Sequence, residues 1–173
     1  MKDLGIELIS ELMKNSRRSD RELAKALRVS QPTVSRAMQR IKKKGLIREF
    51  TVIPDFQKLG YEIVAFTLIR TRGGLSTEEL EKAREISLRD MEKKSPPEIV
   101  LFERGLGGGY TGIIVSFHHD YTEYTKLKEM MREYPFVDHG ATLSFLLDLN
   151  DSVHYRYFTF STLAKHLLKI KKE

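Results

Sequence analysis

Over the first 47 residues, apolar side chains recur at helical spacing in three blocks. Leu4, Leu8, Ile9, Leu12 and Met13 form the first, which the polar run NSRRS at 15–19 interrupts. Leu23, Ala24 and Leu27 form a short second block, opened by Ser19 and Glu22 at capping-box spacing, where each side chain can satisfy a backbone amide left free at a helix start. RVS at 28–30 is brief enough to force a sharp turn, with Val29 able to plug the corner between two crossing helices. Ser30 can cap a third helix that tolerates Pro32 in its first turn, because the amide proline lacks has no intrahelical partner there. Val34, Ala37, Met38 and Ile41 are its inward positions, and Gly45 supplies the stop. The pattern predicts three helices with a tight turn before the third.

After residue 60 the pattern changes. YEIVAFTLIRTR is rich in β-branched and aromatic residues and ends at Gly73 and Gly74, as a strand would. Ser76 and Glu79 open a helix expected to run to the SPP break at 95–97. EIVLFERG and YTGIIVSF read as strands joined by the glycine-rich LGGG, which suits a hairpin. Asp120 caps YTEYTKLKEMMREY, and VDHGATLSFLLDL supplies a last strand. The order is βαββαβ, a ferredoxin-like unit. In the final segment Val153, Tyr157, Phe160, Ala164 and Leu167 keep helical spacing after Asp151 or Ser152. YRYFTF alone could instead form a strand. A helix here can pack on a partner subunit or cover the open face of its own sheet, and the second is favoured.

The fold class expected is therefore α+β: an N-terminal winged helix-turn-helix, a ferredoxin-like βαββαβ domain and a C-terminal helix. The expected bounds are 1–48 for the helix-turn-helix, 49–60 for a connecting strand or hinge, 61–150 for the ferredoxin-like domain and 151–173 for the amphipathic helix.

Charge separates these parts. Residues 1–60 carry 14 Lys or Arg against 7 Asp or Glu, residues 61–164 carry 12 against 16, and residues 165–173 carry 4 against 1. The N-terminal third suits a polyanion, because clustered cations displace counterions from phosphates. On the third helix the direction opposite Val34 and Ile41 holds Pro32, Arg36, Gln39 and Lys43, flanked by Thr33, Ser35 and Arg40, and no acid occurs from Ser30 to Lys44. Arg can donate two hydrogen bonds to guanine and Gln can pair with adenine, so this face suits a major groove. Arg36 is the first candidate for base contact. Ser30, Gln31, Thr33, Ser35 and Gln39 are secondary candidates, and Arg40, Lys43 and Arg48 are candidates for phosphate contact.

The stretch LAKALRVSQPTVSRAMQRIKKKGLIREFTVIPDFQKLG, with its turn serine, Val34, the GLI exit and the hinge FTVIPDFQKLG, resembles the helix-turn-helix and connecting strand of the Lrp/AsnC family of transcription regulators. The resemblance implies sequence-specific binding to double-stranded DNA, and a C-terminal domain that dimerises and binds a small effector such as an amino acid. It implies assembly as a homodimer or higher oligomer. Family recognition helices often carry arginine where this chain has Ala37, so base preference is not carried over. The family's turn after the second strand commonly has glycine followed shortly by aspartate near the ligand pocket. Here RGLGGGYTG has no acid, and Gly105, Gly107, Gly108, Gly109 and Thr111 are the counterparts of the pocket edge. A typical amino-acid response is therefore not expected.

Other chemistry is thin. The chain has no cysteine, so disulfides and thiolate metal sites are excluded and a reducing cytoplasm is the expected compartment. No apolar run approaches the roughly 18 residues that span a bilayer. GGGYTG at 107–112 matches G-x-G-x-x-G formally, but a strand follows it where a dinucleotide site needs a helix. His118 and His119 are adjacent on a strand and point to opposite faces, so at most one of them faces any site shared with His139, and a structural role is expected. No catalytic residue, cofactor or metal is expected. A siroheme-decarboxylase-like enzyme uses the same two folds, but the HNY and Trp-Phe-Thr stretches of those enzymes are missing. A sequence-tolerant architectural DNA binder is the remaining alternative.

Overall fold

The computed structural model describes residues 3–94 and 98–168, so the expected SPP break at 95–97 lies outside the described residues. The chain divides into two units, one of residues 1–53 with 154–173 and the other of residues 54–153.

In the first unit, α1 (Leu4–Lys14), α2 (Asp20–Leu27) and α3 (Gln31–Lys43) enclose Leu8, Leu12, Leu23, Ala24, Val34, Ala37 and Ile41. Val29 and Met38 pack at the edge of this cluster. The cap chemistry fixes where each helix starts and ends. Ser19 Oγ accepts from the Glu22 amide while the Ser19 amide donates to Glu22 Oε2, completing the capping box. Gly45, at φ +64°, ends α3: its amide donates to Lys42 O and the Leu46 amide to Ile41 O, the two bonds of a Schellman end. A fourth helix, α6 (Ser161–Leu167), packs on α1.

The second unit has β1 (Ile63–Ile69), α4 (Thr77–Lys94), β2 (Ile99–Gly107), β3 (Tyr110–His118), α5 (Tyr121–Met131) and β4 (Leu143–Asp148). The sheet order is β2-β3-β1-β4 with every neighbour antiparallel, which is the expected ferredoxin-like topology. Alternation divides the sheet into two faces. One carries Ala65, Thr67, Ile114, Ser116 and His118, all buried, with α5 packed over it and the rings of Tyr124 and His118 5.5 Å apart. The other carries three apolar rows in register: Val64, Phe117 and Leu147; Phe66, Val115 and Phe145; Leu68, Ile113 and Leu143. At its β4 edge Leu143 is 53% exposed, Phe145 66% and Leu147 41%.

Two expectations are corrected. Of the strand or hinge expected at 49–60, the strand does not form: among the described residues 47–54 make no backbone–backbone hydrogen bond, and Gln57–Leu59 is a 3-10 turn. A β-rich segment forms a strand only beside another strand, and this one has no such neighbour. The helix expected from 151 begins instead at Ser161, and it packs on α1. Asp148 and Asp151 accept from the amides of Asn150 and Val153, local bonds that compete with helix formation.

Candidate nucleic-acid interface

The turn between α2 and α3 sets the presentation of α3. Arg28 adopts the left-handed conformation at φ 56°, and the Val29 amide donates to Ala24 O at 3.0 Å, which closes α2 and reverses the chain. Ser30 then caps α3 by accepting from the Thr33 amide, and its hydroxyl lies 2.8 Å from Thr33 Oγ1. With Val34, Ala37 and Ile41 buried, the same helical period leaves Gln31, Pro32, Arg36, Gln39, Arg40 and Lys43 exposed on the opposite side. Thr33 and Ser35 are half-buried at its margins, and Arg48 is exposed beyond Gly45.

Several of these side chains are already engaged. Ser35 Oγ donates to Asp20 Oδ2 on α2 at 2.5 Å, so this hydroxyl ties two helices together. Arg36 Nε donates back to Pro32 O at 3.3 Å, leaving the rest of the guanidinium fork outward. Lys42 lies over the Phe50 ring at 5.2 Å and so leans toward the connecting segment. A cavity of about 190 Å³ opens between the first turn of α1 and α3, lined by Leu4, Gly5, Thr33, Arg36, Arg40 and Lys44 among others. The sequence reading did not single out Lys44 or Asp20. The spacing Arg36, Arg40, Lys44 at i, i+4, i+8 was a readable signal for the first, since it puts three cations in one row. For Asp20 no local signal existed. On α2 the Glu22 carboxyl is held below its ordinary range, chiefly by the hydrogen bond from the Ser19 backbone and then by the Ser19 side chain.

The candidate effector residues lie together at the tip of one hairpin. Gly107 pairs with Tyr110, and Gly108 and Gly109, at φ +55° and +83°, form the two-residue turn. Arg70 Nε donates to Gly109 O at 2.7 Å, and Thr111 Oγ1 accepts from the Thr71 amide at 2.8 Å. Gly105 and Gly107 face open space. Elsewhere His119 Nδ1 lies 2.8 Å from Gly60 O while its neighbour His118 is buried, and no group of metal-ligating side chains occurs among the described residues.

Residues 1–48 match the model of the winged helix-turn-helix DNA-binding family. An HTH-type transcriptional regulator of Pyrococcus abyssi is 42% identical over 69 residues, covering 40% of this chain and 46% of that protein. One from Pyrococcus furiosus is 35% identical over 107 residues, covering 62% and 66%. The chain thus spans about half to two thirds of the length of these relatives. Among solved structures, the AsnC family transcriptional regulator of Agrobacterium tumefaciens superposes with a TM-score of 0.70 at 20% identity, over 94% of this chain and 99% of that one. The chain has an N-terminal winged helix-turn-helix domain and the Lrp/AsnC fold. The same fold is seen in PH0061 of Pyrococcus horikoshii, with a TM-score of 0.71 at 24% identity over 92% and 97% of the two chains. A transcriptional regulator of Neisseria meningitidis, solved as a complex with L-Met, gives 0.71 at 17% identity over 94% and 99%. No helix among the described residues of this Lrp/AsnC-fold chain is long and apolar enough to cross a membrane.

Proposed function

We propose that this protein is a sequence-specific, DNA-binding transcription regulator that acts as a dimer in the cytoplasm and is not an enzyme. The observation that carries the reading is the outward face of α3, where Arg36, Gln39, Arg40 and Lys43 stand exposed on a helix whose other side is locked into the core. Such a face offers paired donors to base edges and cations to phosphates. A single recognition helix reads a short site, so specificity calls for two helices about 34 Å apart on one side of the duplex. The exposed apolar edge of the open sheet face, Leu143, Phe145 and Leu147 beside Phe66 and Leu68, supports a second copy of this chain as the partner that supplies the other helix, since an apolar patch left exposed marks an association surface.

A small-molecule effector, where one acts, is placed at the hairpin edge formed by Gly105, Gly107, Gly108, Gly109 and Thr111. The Neisseria relative bound to L-Met supports an effector site on this fold. The missing acid in RGLGGGYTG argues that the ligand here is not a standard amino acid. Selecting bound fragments from genomic DNA tests the main reading. A shared motif with two-fold symmetry is expected, and retention of all fragments alike would replace the regulator with an architectural binder. Light scattering of Phe145→Glu should give a monomer mass, against a dimer mass for the parent. Calorimetry showing tight binding of a standard amino acid would overturn the effector statement.

A further inference from the structure

α1 is covered on two sides. Leu4, Leu8 and Leu12 face the three-helix core, but Ile6, Ser10 and Met13 lie on the opposite side of the same helix, and every residue from Leu4 to Met13 is buried or half-buried. A helix apolar around most of its circumference needs a partner on each side. α6 is the second partner. Ser10 and Ala164 are both fully buried where the helices meet, and Ser10 Oγ donates to Ala164 O at 2.8 Å. Two small residues at the crossing let the backbones approach closely, and the internal hydrogen bond satisfies a hydroxyl that burial would otherwise penalise. Residues 154–168 thus complete the folding unit begun by residues 3–53, and the sheet unit is an insertion joined to it at two points, 53–54 and 153–154.

The two connections leave the sheet unit side by side. β1 and β4 are antiparallel neighbours, the Leu149 amide donates to Glu62 O at 2.7 Å, and Gln57 Nε2 donates to Asn150 Oδ1 at 3.4 Å. Among the described residues, the first connection, 47–54, makes no backbone–backbone hydrogen bond, and its ties are the side chains of Ile47 on the three-helix core and Phe50 under Lys42. We infer that α6 is a positioning element for DNA binding: by docking on α1 through Ser10 and Ala164 it adds a second attachment between the helix-turn-helix and the sheet unit, and so narrows the orientations open to α3 before DNA is met. A helix-turn-helix held by one loose segment gives up orientational freedom when both heads of a dimer engage one duplex; one held at two points has given up part of it during folding, and the second head binds at a higher effective concentration. The inference rests on the dimeric DNA-binding reading above.

The test compares the full-length parent with two variants. One carries a flexible Gly-Ser insertion of about 20 residues after Val153, which loosens the attachment while leaving α6 joined and able to dock, since loop length costs little. The other is Ala164→Glu, which displaces α6. Each is titrated with the selected DNA bearing two half-sites and with the same DNA bearing one half-site scrambled. The insertion variant should keep the dimer mass, the amide-exchange protection of Ile9–Met13 and the parent's affinity for the single half-site, and lose about three- to tenfold on the two-half-site DNA. Ala164→Glu should show the same selective loss together with faster exchange in α1. Unchanged two-half-site affinity in the insertion variant would overturn the inference. So would equal losses on both DNAs, which would make α6 a support for the helix-turn-helix fold alone. If the parent itself failed to prefer two half-sites over one, the dimeric reading would fall and this inference with it, and that failure shows in the parent before any variant is measured.

Discussion

The Ser35 hydroxyl on α3 donates to the Asp20 carboxylate in the first turn of α2, 2.5 Å away. This bond crosses the turn of the helix-turn-helix and ties α3 to the first turn of α2. It also occupies an acid at the margin of the basic face. Ser35→Ala should lower stability by about 1 kcal/mol, the usual net worth of such a bond, and more if Asp20 is left poorly solvated. Asp20→Asn keeps an acceptor while removing a charge that repels phosphate, so it should raise affinity for unrelated DNA. Thermal melting and gel retention with competitor DNA measure the two effects.

Arg36 and Lys43 should differ in kind when each is replaced. Arg36 sits mid-face in the N-terminal half of α3, where side chains reach base edges, and Lys43 lies nearly two turns later. Arg36→Ala should cost about 1 to 3 kcal/mol on the selected site and little on random DNA. Lys43→Ala should weaken both and lower the salt slope by about one unit. If folded Arg36→Ala bound its selected site with unchanged affinity and specificity, the base-reading role of that residue would be lost. In that case the row it forms with Arg40 and Lys44 would mark it as a phosphate contact.

His118 makes the sheet unit sensitive to acid. Its ring is buried with Nε2 2.8 Å from Ser116 Oγ, and burial pushes the imidazole below its ordinary value of 6.5, against the upward pull of Glu98, Glu123 and Asp120. With a depressed folded pKa, the unfolded chain takes up a proton in a range where the folded one does not. Stability is therefore full above 6.5 and falls as the pH drops through that value toward the folded pKa. Melting temperatures followed from about pH 8 to 5 should decline for the parent and decline less for His118→Leu.

Gly109 is held in the left-handed region at φ +83°, beneath the Arg70 guanidinium. A Cβ there would lie 2.7 Å from Arg70 Nη2. The arginine end can swing away, but the backbone cannot change without opening the turn. Gly109→Ala should cost about 1 to 2 kcal/mol, read by chemical denaturation.

What was legible in the sequence was local. Ser19 with Glu22, Ser30 before Pro32, and Gly45 announce helix ends because each satisfies backbone groups within a few residues of itself. YEIVAFTLI and YTGIIVSF announce strands through their β-branched and aromatic composition, although their backbone groups are satisfied only by neighbouring strands. Ser10 announces nothing: it is a polar residue inside a helix, and its partner lies 154 positions away. Asp20 reads as a helix N-terminal acid, and only the crossing of α2 and α3 brings it to Ser35. FTVI at 50–53 has the composition of a strand, yet strand formation depends on a neighbour that local sequence does not specify. The candidate readers on α3 could be chosen from the helical period alone, whereas the cavity beside Lys44 needed the position of α1.

The pairing of Ser10 with Ala164 also sets an order of events during synthesis. The ribosome releases Ser10 well before Ala164, and at a translation rate of about 5 to 20 residues per second the interval lasts on the order of ten seconds. Throughout it, α1 can close its Leu8 and Leu12 side against α2 and α3 while the side bearing Ile6 and Met13 stays open to water. The helical unit is begun first and finished after the sheet unit has been made, so a chain halted before Ala164 leaves an apolar side of its first helix without the cover that α6 supplies.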